Sequence, residues 1–271
     1  YTQIFGIFYN IAPQVSTTDI GTTLVQSEEL VKIAAELGCL CLLRPHLGNV
    51  FSQYRQALFL AIKSDPARWI QLAIVLENKS IYTECLVHLV GAHPCWPWLT
   101  RRTALSQDLR KLIAGKSEEL DRMCVEAERG VLLATIHLGR GPLDPTERNQ
   151  TETWLVVQVF RDLLAQRIDA LDRDKRAALK RGTFFRAIVA DKLEVLDSEN
   201  VRKICQGTMN SDWKDLVEDL RSLKNYAAEV IAEVAANELL IDPDACGIGY
   251  LTCAKVELEE VPWLATTEKS T

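Results

Sequence analysis

Two cysteines and two histidines stand within eleven residues: Cys85, His88, His93 and Cys95. Thiolate and imidazole are zinc's preferred protein donors, and four of them close a structural tetrahedral site. Cys85 and His88 are three apart, which on a helix puts them on one side, and His93 and Cys95 follow shortly after. Against a metal centre, Ile81 and Leu89 share the same stripe, the loop spacing matches no common zinc pattern, and prolines flank two of the four positions. The expectation is therefore a packed apolar face holding a satisfied histidine. Zinc on these four residues is the alternative, and no other cofactor is expected.

The remaining candidates also read as structure. His46, His88, His93 and His137 are accompanied by neither a G-x-S-x-G nucleophile motif nor H-E-x-x-H. Cys246 and Cys253, seven apart, are expected to be unrelated thiols rather than a disulfide or a metal half-site. Gly247-Ile248-Gly249 has Thr252 where a dinucleotide fingerprint needs its third glycine. Asp212, Asp215, Glu218 and Asp219 are expected to form a solvated acidic face, without the Glu-x-x-His partner helix of a di-metal site. Arg101-Arg102 and the run Arg173, Lys175, Arg176, Lys180, Arg181 could touch phosphate or an acidic protein surface, but Asp169, Asp172 and Asp174 are interleaved just upstream of the second cluster. That pattern predicts a salt-bridged helix end, with Phe184 and Phe185 anchoring a core.

Positioning such residues falls to helices. The chain has 271 residues, of which 48% are hydrophobic, ample for a sizeable core. Its net charge of -6 offers no global field for a phosphate backbone, so no direct nucleic-acid binding is expected. No run nears the roughly 18 apolar residues that a membrane helix needs. Eight cysteines lack the dense spacing of a secreted scaffold; Cys39, Cys41, Cys85 and Cys124, set among Leu, Val and Ile, are expected to be reduced and buried in an intracellular protein of cytoplasm or nucleus. Because the chain opens at Tyr1, it is expected to be a fragment or a processed form.

Apolar spacing predicts helices from Ser27 as N-cap to Leu37, across Leu42 to Tyr54, over Leu58 to Lys63, from Pro66 to Leu76 behind Asp65, and from Ser80 to Val90. Further helices are marked by Leu105 to Met123, Val156 to Leu171, and Trp213 to Val234. Ile4 to Tyr9 is open between strand and helix. Gly139 to Pro142 reads as a loop, Ile248 to Val256 as a strand or an extended arm (near 246–257), and Thr266 to Thr271 as a disordered tail. Tyr1 to Trp98 holds 13 charged residues and the remaining 173 residues hold 55. With the prolines of His93 to Trp98 at the break, this predicts a unit over 1–98 and a second over 99–271. The class is mainly α: a helical bundle with at most one or two short strands.

Several segments resemble the helical second half of fungal BTB/POZ domain-containing proteins. They are Leu30 to Cys39, Leu47-Gly48-Asn49-Val50, Asp65-Pro66-Ala67-Arg68-Trp69, Thr83 to Gly91, and His93 to Trp98. The likeness continues, with less specific motifs, through Ser211 to Leu216 and Gly247 to Cys253 into the C-terminal helical extension that some of these proteins carry, and so touches most of the chain. The strand-rich half that supplies much of that fold's dimer interface has no counterpart here, which leaves homo-oligomerisation open. The resemblance implies a non-catalytic scaffold or adaptor with protein partners, among them cullin-type ubiquitin ligases or a regulator. No cullin-contacting residue can be transferred, because that loop belongs to the strand-rich half. The competing expectations are a transcription or chromatin regulator acting through a partner, and a helical enzyme or ligand-binding domain with a pocket near Trp69, Trp96 and Trp98.

Overall fold

A computed structural model describes residues 2–9, 11–138, 141–209 and 212–264. They are mainly helical, with eleven α-helices and one hairpin of two two-residue strands among them. The chain divides into two compact units, one of residues 1–116, 238–246 and 254–271, the other of 117–237 and 247–253.

The first unit opens with α1 (Thr2–Ile7) and α2 (Ile20–Glu36). Asp19, not Ser27, caps α2, accepting the Thr22 N–H at 2.7 Å. Ser27 lies buried inside the helix, and Glu28 turns to a bidentate ion pair with Arg68 at 2.8 and 2.6 Å. The Ser-Glu-Glu pattern mimics a helix start, but the Asp19 cap and the Thr23 hydroxyl bonded to the Ser16 carbonyl at 2.6 Å begin the helix earlier. Gly38, with φ +67, ends it. On α3 (Leu40–Gln53), Leu43, Leu47 and Phe51 face inward. Cys41 is off that face and exposed, contrary to expectation, while Cys39, Cys85 and Cys124 are buried.

Next come α4 (Gln56–Ser64), α5 (Pro66–Leu76) and α6 (Lys79–Ala92). Asp65 and Pro66 start α5 as its sequence predicts, and Asn78 caps α6 by accepting the Ile81 N–H at 3.1 Å. Both helices are rich in β-branched residues, whose propensity cost is a few tenths of a kcal/mol each. A fully buried large apolar side chain contributes roughly 1.5–3 kcal/mol, so packing decides. Trp69 is buried edge-on to Phe51, with ring centroids 5.2 Å apart. α6 is buried from Ile81 to Ala92 on all but one position, more completely than a single stripe, as befits a central helix.

The prolines at 94 and 97 end α6 without ending the unit. Trp98 donates its indole N–H to the Lys63 carbonyl at 3.1 Å, and the Thr100 hydroxyl donates to Asp65 at 2.7 Å. The division accordingly falls at 116/117, inside α7 (Gln107–Leu132), rather than near 98. The C-terminal chain returns to the first unit too. The Tyr82 hydroxyl donates to the Glu260 carbonyl at 2.8 Å, and Lys116 pairs with the Glu260 carboxylate at 2.7 Å.

In the second unit, β1 (His137–Leu138) pairs antiparallel with β2 (Gly141–Pro142); Gly139 and Arg140 of the expected loop lie outside the described residues. α8 (Thr151–Asp172), α9 (Ala178–Val189) and α10 (Ser198–Cys205) precede α11 (Trp213–Ile231). α11 packs on α8 and α9, and Leu216, Leu220, Leu223, Ala227 and Ile231 are its buried positions. Residues 247–253 form an arm without a regular strand, with an isolated bridge between Asn237 and Thr252. A Cβ on Gly182 of α9 would lie 2.0 Å from the Tyr250 carbonyl oxygen, and one on Gly249 would lie 2.1 Å from that of Leu179. Two facing glycines thus let helix and arm touch backbone to backbone, with the Thr183 N–H donating to the Gly249 carbonyl at 3.0 Å. That contact accounts for Gly249 in Gly247-Ile248-Gly249. The tail Thr266 to Thr271 lies outside the described residues.

Candidate functional site

The four zinc candidates belong to different environments. Cys85 and His88 are sealed in α6, and burial drives the Cys85 thiol well above its ordinary pKa, which opposes the thiolate that zinc requires. His93 closes the helix and accepts the Arg102 guanidinium on its Nε2 at 2.7 Å, so a cation already occupies that lone pair. Cys95 is partly exposed. Among the described residues no group of three or more His, Cys, Asp or Glu is placed to share a metal ion.

The most perturbed ionisable cluster centres instead on a residue with no motif around it, Glu84. It is 1% exposed, and its Oε1 lies 4.0 Å from Nε2 of His88, which is wholly buried. Oε2 accepts the Leu240 N–H at 3.0 Å, pinning segment 238–246 to α6 across 156 positions of sequence. Burial pushes the Glu84 carboxyl up to about 7, opposed by that hydrogen bond. Burial likewise, and secondarily the charge of Lys63, lowers His88 to about 3. Between about pH 3 and about pH 7 the acid is therefore mostly protonated beside a neutral imidazole, as a dry interior demands. One signal of Glu84 was visible in the sequence, a lone acid four residues before a histidine inside the apolar run from Ile81 to Val90.

In the second unit, Arg181 gathers carboxylates. It reaches Asp172 at 2.8 Å, Asp121 at 3.3 Å and Glu128 at 3.9 Å. Burial raises the Glu128 carboxyl, with Arg181 opposing. Arg173 pairs with Asp169 at 2.8 Å and Lys180 with Asp174, so the basic run is laced by acids, although Lys180 and Arg181 sit in the first turn of α9 rather than at a C-terminus. Three acidic residues at the start of α11 are also engaged: Asp212 caps the helix, Glu218 pairs with Arg221 at 2.6 Å, and Asp219 accepts the Thr153 hydroxyl at 2.8 Å. Phe184 and Phe185 are buried. None of the eight cysteines, Cys246 and Cys253 included, is in a disulfide.

A surface feature that sequence reasoning did not single out lies at the start of the first unit. Ile4 and Ile7 point α1 into the core, while Phe5, Phe8, Tyr9 and Ile11 are 56%, 54%, 81% and 62% exposed. The Ile11 N–H returns to the Gly6 carbonyl at 3.0 Å, which holds the chain after α1 against the helix. Four large apolar side chains within seven residues thus stand in water, a concentration that scattered surface hydrophobes do not produce. No helix among the described residues is long and apolar enough to cross a membrane. No family model matches the chain, and no curated protein and no solved structure shows significant similarity to it.

Proposed function

We propose that this chain is a non-catalytic protein-interaction scaffold, akin to the helical half of a BTB/POZ protein, and that the exposed apolar set on α1 and the turn after it meets a protein partner. The observation that carries this reading is the solvent-facing set Phe5, Phe8, Tyr9 and Ile11. Aromatic side chains bury much area at little entropic cost and are the usual anchors of protein interfaces. The burial of Glu84, Cys85 and His88 supports the non-catalytic part, because the groups with the most shifted ionisation are sealed from any substrate.

The test is purification of the tagged chain from its own cells, beside the triple substitution Phe5→Ser, Phe8→Ser, Tyr9→Ser, with mass spectrometry of what co-purifies. A stoichiometric protein, a cullin or a regulator for instance, retained by the unaltered chain and lost from the variant is the expected result. Identical recovery from both, or turnover of a small molecule by the purified chain, would overturn the reading. The substitutions leave Ile4 and Ile7 in place, so α1 keeps its anchorage.

A further inference from the structure

A groove of about 670 Å³ opens in the second unit between the end of α8, α9 and the segment after α9. Its floor is apolar: Leu171, Leu179, Phe184, Leu193 and Val195 line it. Phe184 stacks at a tilt on Phe185, ring centroids 5.5 Å apart, which anchors the floor to the core. The rim is charged. Lys180 is held there by Asp174, whereas Arg167 and Lys192, also lining the groove, make no ion pair among the described residues. Against these two cations stands one further carboxylate, Glu194. The rim is therefore positive by one charge on a protein whose net charge is -6.

The placement of Lys192 is built in. Asp191 takes φ +50, in the left-handed region that Asp tolerates better than most residues. Its N–H donates to the Ile188 carbonyl at 3.1 Å and that of Lys192 to the Ala187 carbonyl at 2.8 Å, the double closure of a Schellman motif. Asp191 is further tied by Lys224 at 2.8 Å. The turn is thus fixed through both the backbone and the side chain of Asp191, which places Lys192 among the residues that line the groove together with Arg167 of α8.

We propose that this groove docks a short peptide segment of a partner protein, one that places bulky apolar side chains on the floor and acidic side chains against Arg167 and Lys192. Charge selects an acidic peptide: two cations without ion-pair partners among the described residues, above an apolar floor, are complementary to carboxylates flanking apolar residues. The inference deepens the scaffold reading and rests on it, but uses a different surface from the α1 face.

The experiment pans a random dodecapeptide display library on the intact chain, then measures the selected synthetic peptides by fluorescence anisotropy against the unaltered chain and the double substitution Arg167→Glu, Lys192→Glu. The expected result is a consensus with Asp or Glu beside Leu, Phe or Trp, a loss of at least about tenfold in affinity on charge reversal, and weakening by salt. Neither residue is buried or paired, so the variant should fold, and a circular dichroism melt matching the unaltered chain shows that it does. A second variant, Leu193→Asp, should abolish binding through the floor. No enriched peptides, a consensus without acids, or an affinity indifferent to the charge reversal would overturn the proposal. Failure here with α1-dependent partner recovery intact would remove the groove alone.

Discussion

Substituting Glu84→Gln preserves the side chain's shape and an acceptor for the Leu240 N–H while deleting the titrating acid. The carboxyl is raised from an ordinary 4.5 to about 7 in the fold. Below pH 4.5 it is protonated in both folded and unfolded chain, and its contribution to stability is fully present. As the pH rises from 4.5 towards 7 the unfolded chain releases a proton that the folded chain keeps, which costs roughly 1.4 kcal/mol per pH unit and about 3 kcal/mol in all. His88 runs the other way: lowered from 6.5 to about 3, it contributes stability above pH 6.5 that is lost as the pH falls towards 3. Between 4.5 and 6.5 the two slopes oppose, so the pair leaves the native chain nearly level there. Glu84→Gln uncovers the histidine slope alone. Urea titrations of both chains from about pH 4 to about pH 8 read the outcome as a difference, in which the other carboxylates cancel. The neighbouring Lys63, Asp65 and Cys85 are the same in both chains. Native minus variant stability should fall by about 3 kcal/mol between pH 4.5 and 7 and then stay level. A difference independent of pH across that window would refute the reasoning, because Glu84 would then ionise in the fold as it does in water, as an ion pair with a charged His88 requires.

Gly182→Ala forces a methyl group to 2.0 Å from the Tyr250 carbonyl oxygen, and should cost about 3 kcal/mol or more. Gly115→Ala, in α7 with nothing within 4 Å of the new methyl, should instead gain up to about 1 kcal/mol. Denaturation midpoints decide both, and a neutral Gly182→Ala would place the arm away from α9. Arg181→Met leaves the Glu128 carboxyl, whose side chain is 13% exposed, without its cation. The loss should be about 2 kcal/mol near neutrality and shrink as the pH falls towards 4.5, because burial raises that carboxyl so that it protonates in the fold before it does in the unfolded chain; equal loss at every pH would show that Arg181 acts by packing alone.

What could be read from the residues alone was the local code. Asp65-Pro66 before α5, and the apolar spacing of α8 and α11, are statements about neighbours three and four positions apart, and a helix closes its own hydrogen bonds over that distance. The mainly helical class follows from many such statements, each independent of the rest of the chain. Where a local signal competes with a contact farther along, the contact wins: Ser27-Glu28-Glu29 imitates a helix start, but Arg68, forty positions away, takes Glu28. Only the tertiary structure decided that Glu84 is the most consequential acid. Its perturbation comes from burial and from a hydrogen bond to Leu240, and nothing within a helical turn of it encodes either. The same holds for Gly182 and Gly249, which fit each other rather than their own elements, and for the edge of the first unit, which Trp98 and Thr100 carry past the prolines. Burial is a property of the whole chain's packing, so the groups it perturbs and the apolar side chains it leaves outside appear only once the chain has folded.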